Sequence, residues 1–162
     1  MCFSAATEDR ENGKEIQMEK ITKGLKSIST FIGILALYQV YNLITAYQLA
    51  SSLEQEIVGA MSAAVLPAAK IVSVLPMAVS ALVHLFLCFR GHREANDPSP
   101  AKFHIVLAVI WMLGSVLSVI SGVATQLDGV TVNGILNVLI SASTGVLLFF
   151  YSKYAKAIRT AE

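Results

Sequence analysis

Long uncharged apolar stretches alternate with short charged segments along this chain. Asp, Glu, Lys and Arg are absent from four windows of 19 to 24 residues. A helix rises about 1.5 Å per residue, so roughly 20 residues cross a hydrocarbon core of about 30 Å. Because unpaired backbone groups are too costly in lipid, each window is predicted to form a transmembrane helix. The four predicted spans are residues 28–50, 71–89, 103–126 and 130–151.

The segments around these windows differ in pattern. Apolar residues share one helical face over 18–28, which predicts a short amphipathic helix before span 1. Apolar residues also recur at helical spacing over 57–68, which predicts an interfacial helix between spans 1 and 2, or a kinked extension of span 2. The Gly and Pro residues of 90–102 predict an irregular loop, and "DGV" at 128–130 predicts a tight turn that makes spans 3 and 4 an antiparallel hairpin.

The cations are distributed unevenly between the two sides of this topology. Eleven of the twelve Lys and Arg residues precede span 1, lie between spans 2 and 3, or follow span 4. The positive-inside rule therefore predicts that both termini are cytoplasmic. The sequence predicts an all-α fold, an antiparallel four-helix transmembrane bundle. Its parts are a cytoplasmic segment at 1–27, a membrane domain at 28–151 and a cytoplasmic tail at 152–162.

Composition supports a membrane protein and disfavours several other classes. Hydrophobic residues make up 55% of the chain and charged residues 14%, whereas soluble domains have about 25% charged residues. The net charge of +1 does not suggest a nucleic-acid partner. Two cysteines far apart, Cys2 and Cys88, match neither a disulfide framework nor a zinc site. No metal or other cofactor is predicted.

Each span nevertheless carries one stripe of polar or small residues, while its remaining surface is mostly Leu, Ile, Val and Phe. Lipid is expected to cover the apolar surfaces, and the stripes are expected to face protein. The candidate residues of a polar interior or ligand-lining surface are Tyr38, Asn42, Thr45, Lys70, Ser73, Ser80, His84, Asn133, Asn137 and Ser141.

Two functions are compatible with these stripes. In the first, the protein is not an enzyme and acts through helix–helix contacts, as a homo-oligomer or as the accessory subunit of a partner membrane protein. In the second, the converging polar faces form a small transporter or channel for a polar solute. Haem is disfavoured, because His84 and His104 are predicted to lie about one helical turn apart in depth. The predicted spans also lack the Asp or Glu on which many proton relays depend.

Overall fold

A computed structural model describes the backbone of residues 3–57, 65–98, 102–127 and 129–160, and their side chains except at 3–12, 50, 52–57, 65–70 and 73. The described chain is entirely helical apart from short connections. Its helices are α1 (Phe3–Ile57), α2 (Val65–Asn96), α3 (Phe103–Gln126) and α4 (Val132–Thr160).

All four helices are long and apolar enough to cross a membrane, which confirms the predicted number of spans. The segment before span 1 belongs to α1 itself, because that helix runs from Phe3 to Ile57 without a break. α2 is likewise continuous through Pro76. The predicted interfacial helix at 57–68 lies partly outside the described residues.

The predicted loop at 90–102 is wrong for residues 90–96, which form the last two turns of α2. The charges there end the apolar window but not the helix, since water as well as lipid permits helical hydrogen bonding. The final backbone bond runs from the amide of Asp97 to the carbonyl of Arg93, at 2.8 Å. Pro98 follows directly, and a proline disfavours helical geometry in the residue before it.

Contacts divide the chain into two compact units. Unit 1 consists of Met1–Ile32 and Leu87–Glu162, and so contains parts of all four helices. Unit 2 is Gly33–Phe86, which holds the rest of α1 and α2. The buried apolar residues of unit 1 are Leu25, Ile32, Leu87, Ile105, Ala108, Leu148, Tyr151, Ala155 and Ile158.

Within unit 1, α3 and α4 pack against each other in antiparallel order. A Cβ atom at Gly145 would lie 3.6 Å from Cβ of Ser115, and one at Gly134 would meet the side chain of Gln126. The connection between the helices is held by side chains, because the Thr131 amide donates to Oε1 of Gln126 at 2.7 Å. Oγ1 of Thr131 in turn caps α4 by accepting from the amide of Gly134 at 3.1 Å.

The small residues of span 3 divide into two groups. Ser118 Oγ lies 3.1 Å from Ser141 Oγ, and a Cβ atom at Gly122 would lie 2.7 Å from Cγ2 of Val138. By contrast, a Cβ atom at Gly114 would have nothing within 4 Å, and Ser121, exposed like Ser118, forms no hydrogen bond within the described chain. The α3–α4 seam therefore uses only part of the stripe that the sequence indicates.

The same change, glycine to leucine, made separately at Gly122 and at Gly114 tests this division. We expect Gly122→Leu to lower the free energy of unfolding by about 1–3 kcal/mol, because the new side chain must displace Val138 from the seam. Gly114→Leu is the matched control, since a Cβ at Gly114 has nothing within 4 Å. SDS titration of detergent-solubilised protein measures both values. Equal losses would show that the rotation of α3 is wrong.

Candidate functional site

The most unusual polar group of unit 1 is a fully buried carboxylate near the end of α2. The side chain of Glu94 has 0% exposure. Its Oε1 accepts a hydrogen bond from Nε of Arg159 on α4 at 2.6 Å. Its Oε2 lies 3.9 Å from a terminal nitrogen of Arg90, one turn earlier on α2. Glu94 thus connects α2 to α4 through a charge-assisted hydrogen bond.

α3 joins this cluster through a histidine. Nε2 of His104 lies 3.8 Å from Oε2 of Glu94, a contact that becomes an ion pair when the imidazole is protonated. The ring of His104 also meets the ring of Tyr151 edge to face, with centroids 6.1 Å apart and planes at 88°. Both side chains are buried. One carboxylate and its neighbours therefore connect three helices.

α1 approaches the same region through a glycine contact. A Cβ atom at Gly91 of α2 would overlap Oγ of Ser29 on α1 and lie 2.6 Å from Cε2 of Tyr151 on α4. Next to this contact, Nε2 of His92 lies 3.2 Å from Oγ1 of Thr30. Gly91 is needed here because any side chain would hold the three helices apart.

The chemistry of this cluster favours a structural role. Glu94 carries one negative charge, and Arg90 and Arg159 carry two positive charges, so the guanidinium groups outnumber the carboxylate. The side chains of Arg90 and Arg159 are only 17% and 13% exposed. Because the carboxylate is fully buried and bonded to Arg159 of another helix, this arrangement suits a role in holding helices together. Among the described residues, no group of three or more His, Cys, Asp or Glu side chains could hold a metal ion.

Sequence reasoning missed this cluster because it assigned Arg90 and Glu94 to a solvated loop. Two signals pointed the other way. Arg90 and Glu94 are four residues apart, the spacing of a helical ion pair. Leu87, Gly91 and Glu94 also continue one helical face, and all three are buried. The predicted span nevertheless ended at residue 89, because the charge of Arg90 closes the uncharged window.

The candidate residues of α1 and α4 are mostly at the surface of the chain. Tyr38 and Thr45 are exposed and Asn42 is half-buried. Oγ1 of Thr45 donates to the carbonyl of Tyr41 at 3.0 Å, within its own helix. On α4, Asn133 and Asn137 are exposed. Ser141 is half-buried and contacts Ser118 across the α3–α4 seam.

The candidate residues of α2 are described in part. His84 is buried, and its Nδ1 lies 2.7 Å from the backbone carbonyl of Ser80, so this nitrogen bonds within its own helix. Nε2 of His84 has no hydrogen-bond partner among the described residues. The side chains of Lys70 and Ser73 lie outside the described residues, so their predicted roles are untested.

An apolar groove runs beside the α3–α4 seam. Its volume is about 460 Å³, and its lining includes Val116, Ile120, Val146 and Phe149. Such a surface suits a lipid chain or an apolar helix better than a polar solute, because a polar solute would lose hydrogen bonds to water there.

Neither the models of protein families, nor the curated proteins, nor the solved structures yielded a match to the chain.

Proposed function

We propose that this protein is a small multi-pass membrane component that acts through helix–helix contacts, as an oligomer or as an accessory subunit. The coarser part of this statement rests directly on the four apolar helices, which are those of an integral multi-pass membrane protein. The role in assembly, the absence of enzymatic activity and the cytoplasmic location of both termini are the proposed parts.

One observation supports the role in assembly most strongly: uncharged polar side chains are exposed in the middle of span 1. Tyr38 and Tyr41 are 40% and 66% exposed, although they lie close to the centre of the apolar window. Neither hydroxyl forms a hydrogen bond within the part of the chain that the structure describes. In lipid, hydroxyl groups such as these form hydrogen bonds with groups on neighbouring helices. A second protein surface would supply them.

The mass of the particle purified in mild detergent tests this proposal. We expect native mass spectrometry to show either a multiple of the 17.4 kDa chain or a complex with one defined membrane protein. A strictly monomeric chain carrying a stoichiometric small solute would contradict the proposal and favour a transporter.

A second candidate, a pathway for a polar solute, is supported by the geometry of α4. Asn133 and Asn137 fall on the same helical face as Thr144, Leu148 and Tyr151. That face is buried at the latter three residues but exposed at the two asparagines. Two amides on the inward face of a helix could line a polar cavity in the assembled protein.

Asn137→Leu separates the two candidates. If the amide joins helices, the substitution should lower stability by no more than about 1–2 kcal/mol and change the mass of the particle. The control is Leu139→Ala, because Leu139 is exposed and apolar, so the change should leave the mass unaltered. Loss of solute binding with unchanged mass and stability would instead support the pathway.

The predicted orientation is tested by single cysteines introduced in a background without the two native ones. Because of the distribution of Lys and Arg, cysteines at Ser4, Ser99 and Thr160 should resist an impermeant thiol reagent in intact cells. A cysteine at Ser52 should react, and all four should react after the membrane is permeabilised. Labelling of position 99 from outside would refute this orientation.

A further inference from the structure

Four exposed polar residues of span 1, Tyr38, Tyr41, Thr45 and Gln48, lie along one helical face within unit 2. Ala36 is fully buried, whereas the side chains on the opposite face of α1 are exposed. At about 100° per residue these exposed positions fall within roughly a quarter of the helix circumference. We define the outer stripe of α1 as Ile34, Tyr38, Tyr41, Thr45 and Gln48.

The depth of the outer stripe makes it unlike an ordinary aromatic belt. Tyr residues are common at the two membrane interfaces, where the hydroxyl reaches water. Gln39 is the middle residue of the 28–50 window, so Tyr38 and Tyr41 lie within about 3 Å of its centre along the helix. Their hydroxyls are therefore placed where lipid offers no hydrogen bond.

We propose that the outer stripe of α1 packs against the outer stripe of a second copy of this chain. The two helices run parallel around a two-fold axis along the membrane normal. This inference rests on the proposed role in helix–helix contacts and names both the surface and the partner.

The chemistry of the stripe favours a second copy over a different protein. Its polar groups are Tyr and Thr hydroxyls and a Gln amide, and each of these both donates and accepts hydrogen bonds. Each group can therefore pair with its own copy across a two-fold axis, where like residues meet. The stripe carries no charge that would specify an oppositely charged partner.

The spacing of the stripe also fits a parallel pair. Its residues recur at intervals of four, three, four and three, which is the period of 3.5 that keeps two helices in contact along a seam. Copies inserted in the membrane with the same orientation necessarily present α1 in parallel. Asn42, half-buried beside the stripe, adds an amide at the edge of the contact.

Disulfide cross-linking in native membranes tests the proposal. In a cysteine-free background, Tyr41→Cys should form covalent dimers under copper phenanthroline, whereas Tyr47→Cys should stay at background. Tyr47 is the matched control, because it is also a tyrosine of α1, is 56% exposed and points about 120° away from Tyr41. Ile34→Cys and Gln48→Cys probe the two ends of the stripe, and each should cross-link to its own copy.

The outcomes distinguish this inference from the broader proposal. Dimers at positions 34, 41 and 48 but not at 47 support it. Equal cross-linking at 41 and 47, or none at any stripe position while wild type is oligomeric, overturns the inference and leaves the role in assembly standing. If the chain purifies with a different membrane protein and the stripe cysteines do not cross-link, the inference is likewise overturned and the role in assembly stands. A monomer with no partner overturns both.

Discussion

Glu94→Gln is expected to lower the free energy of unfolding by about 3–5 kcal/mol, the largest effect of any single substitution considered for this chain. The amide fits in nearly the same volume but removes the negative charge. Arg159, whose side chain is 13% exposed and bonded to Glu94 at 2.6 Å, would then be left as a poorly hydrated charge. SDS titration of the protein in detergent micelles measures the loss.

A second ion pair of the same length provides the control. Nζ of Lys23 lies 2.6 Å from Oε1 of Glu19, but these side chains are 73% and 64% exposed. The hydrogen bond from Lys23 and its charge hold the pKa of the Glu19 carboxyl below its ordinary value. Water nevertheless screens such a pair, so Glu19→Gln should leave the free energy of unfolding nearly unchanged.

A double variant shows whether charge is the cause. Glu94→Gln combined with Arg159→Gln removes both members of the pair, so no isolated charge remains between them. It should be more stable than Glu94→Gln alone, because the desolvated guanidinium is gone. If the two losses simply add, the 2.6 Å contact does not couple the helices.

Gly91→Ala is expected to cost about 1–3 kcal/mol through overpacking. The added methyl group would overlap Oγ of Ser29 and lie 2.6 Å from Cε2 of Tyr151, so α1, α2 and α4 would have to separate. Gly114→Ala makes the same change in α3, where nothing lies within 4 Å, and it should be neutral or slightly stabilising because Ala favours helices over Gly. Thermal unfolding in detergent compares the two.

Ser29→Ala identifies which atom causes the clash. Oγ of Ser29 is buried and has no hydrogen-bond partner among the described residues, so its removal alone should cost little. In the Gly91→Ala background the same change should restore part of the lost stability, since the overlapping oxygen is removed. No recovery would show that Tyr151, rather than Ser29, sets the helix separation.

Much of the fold follows from local pattern. Windows free of Asp, Glu, Lys and Arg predicted four spans, and all four are helices of suitable length. Helices in lipid satisfy their own backbone, so hydropathy and length suffice to locate them. The ends of the helices were less predictable. Residues 90–96 are helical, although their charges had indicated a loop.

Side-chain direction was harder to derive. The sequence grouped Tyr38, Asn42 and Thr45 with the polar interior, but within the described chain Tyr38 and Thr45 are exposed. Periodicity shows which residues share a face, yet it does not show whether that face meets the same chain, another chain or lipid.

By itself, the sequence determined the number of membrane helices and the apolar segment at the centre of each, because both depend on the transfer of local segments between water and lipid. The segregation of Lys and Arg is likewise a property of the sequence alone. The tertiary structure alone decided that Glu94 is buried, that it meets His104 and Arg159 from two other helices, and that Gly91 must lack a side chain. Such contacts join residues up to 65 positions apart. Local hydropathy carries no information about them. The four-residue spacing of Arg90 and Glu94, for example, occurs both on solvated helices and in packed cores.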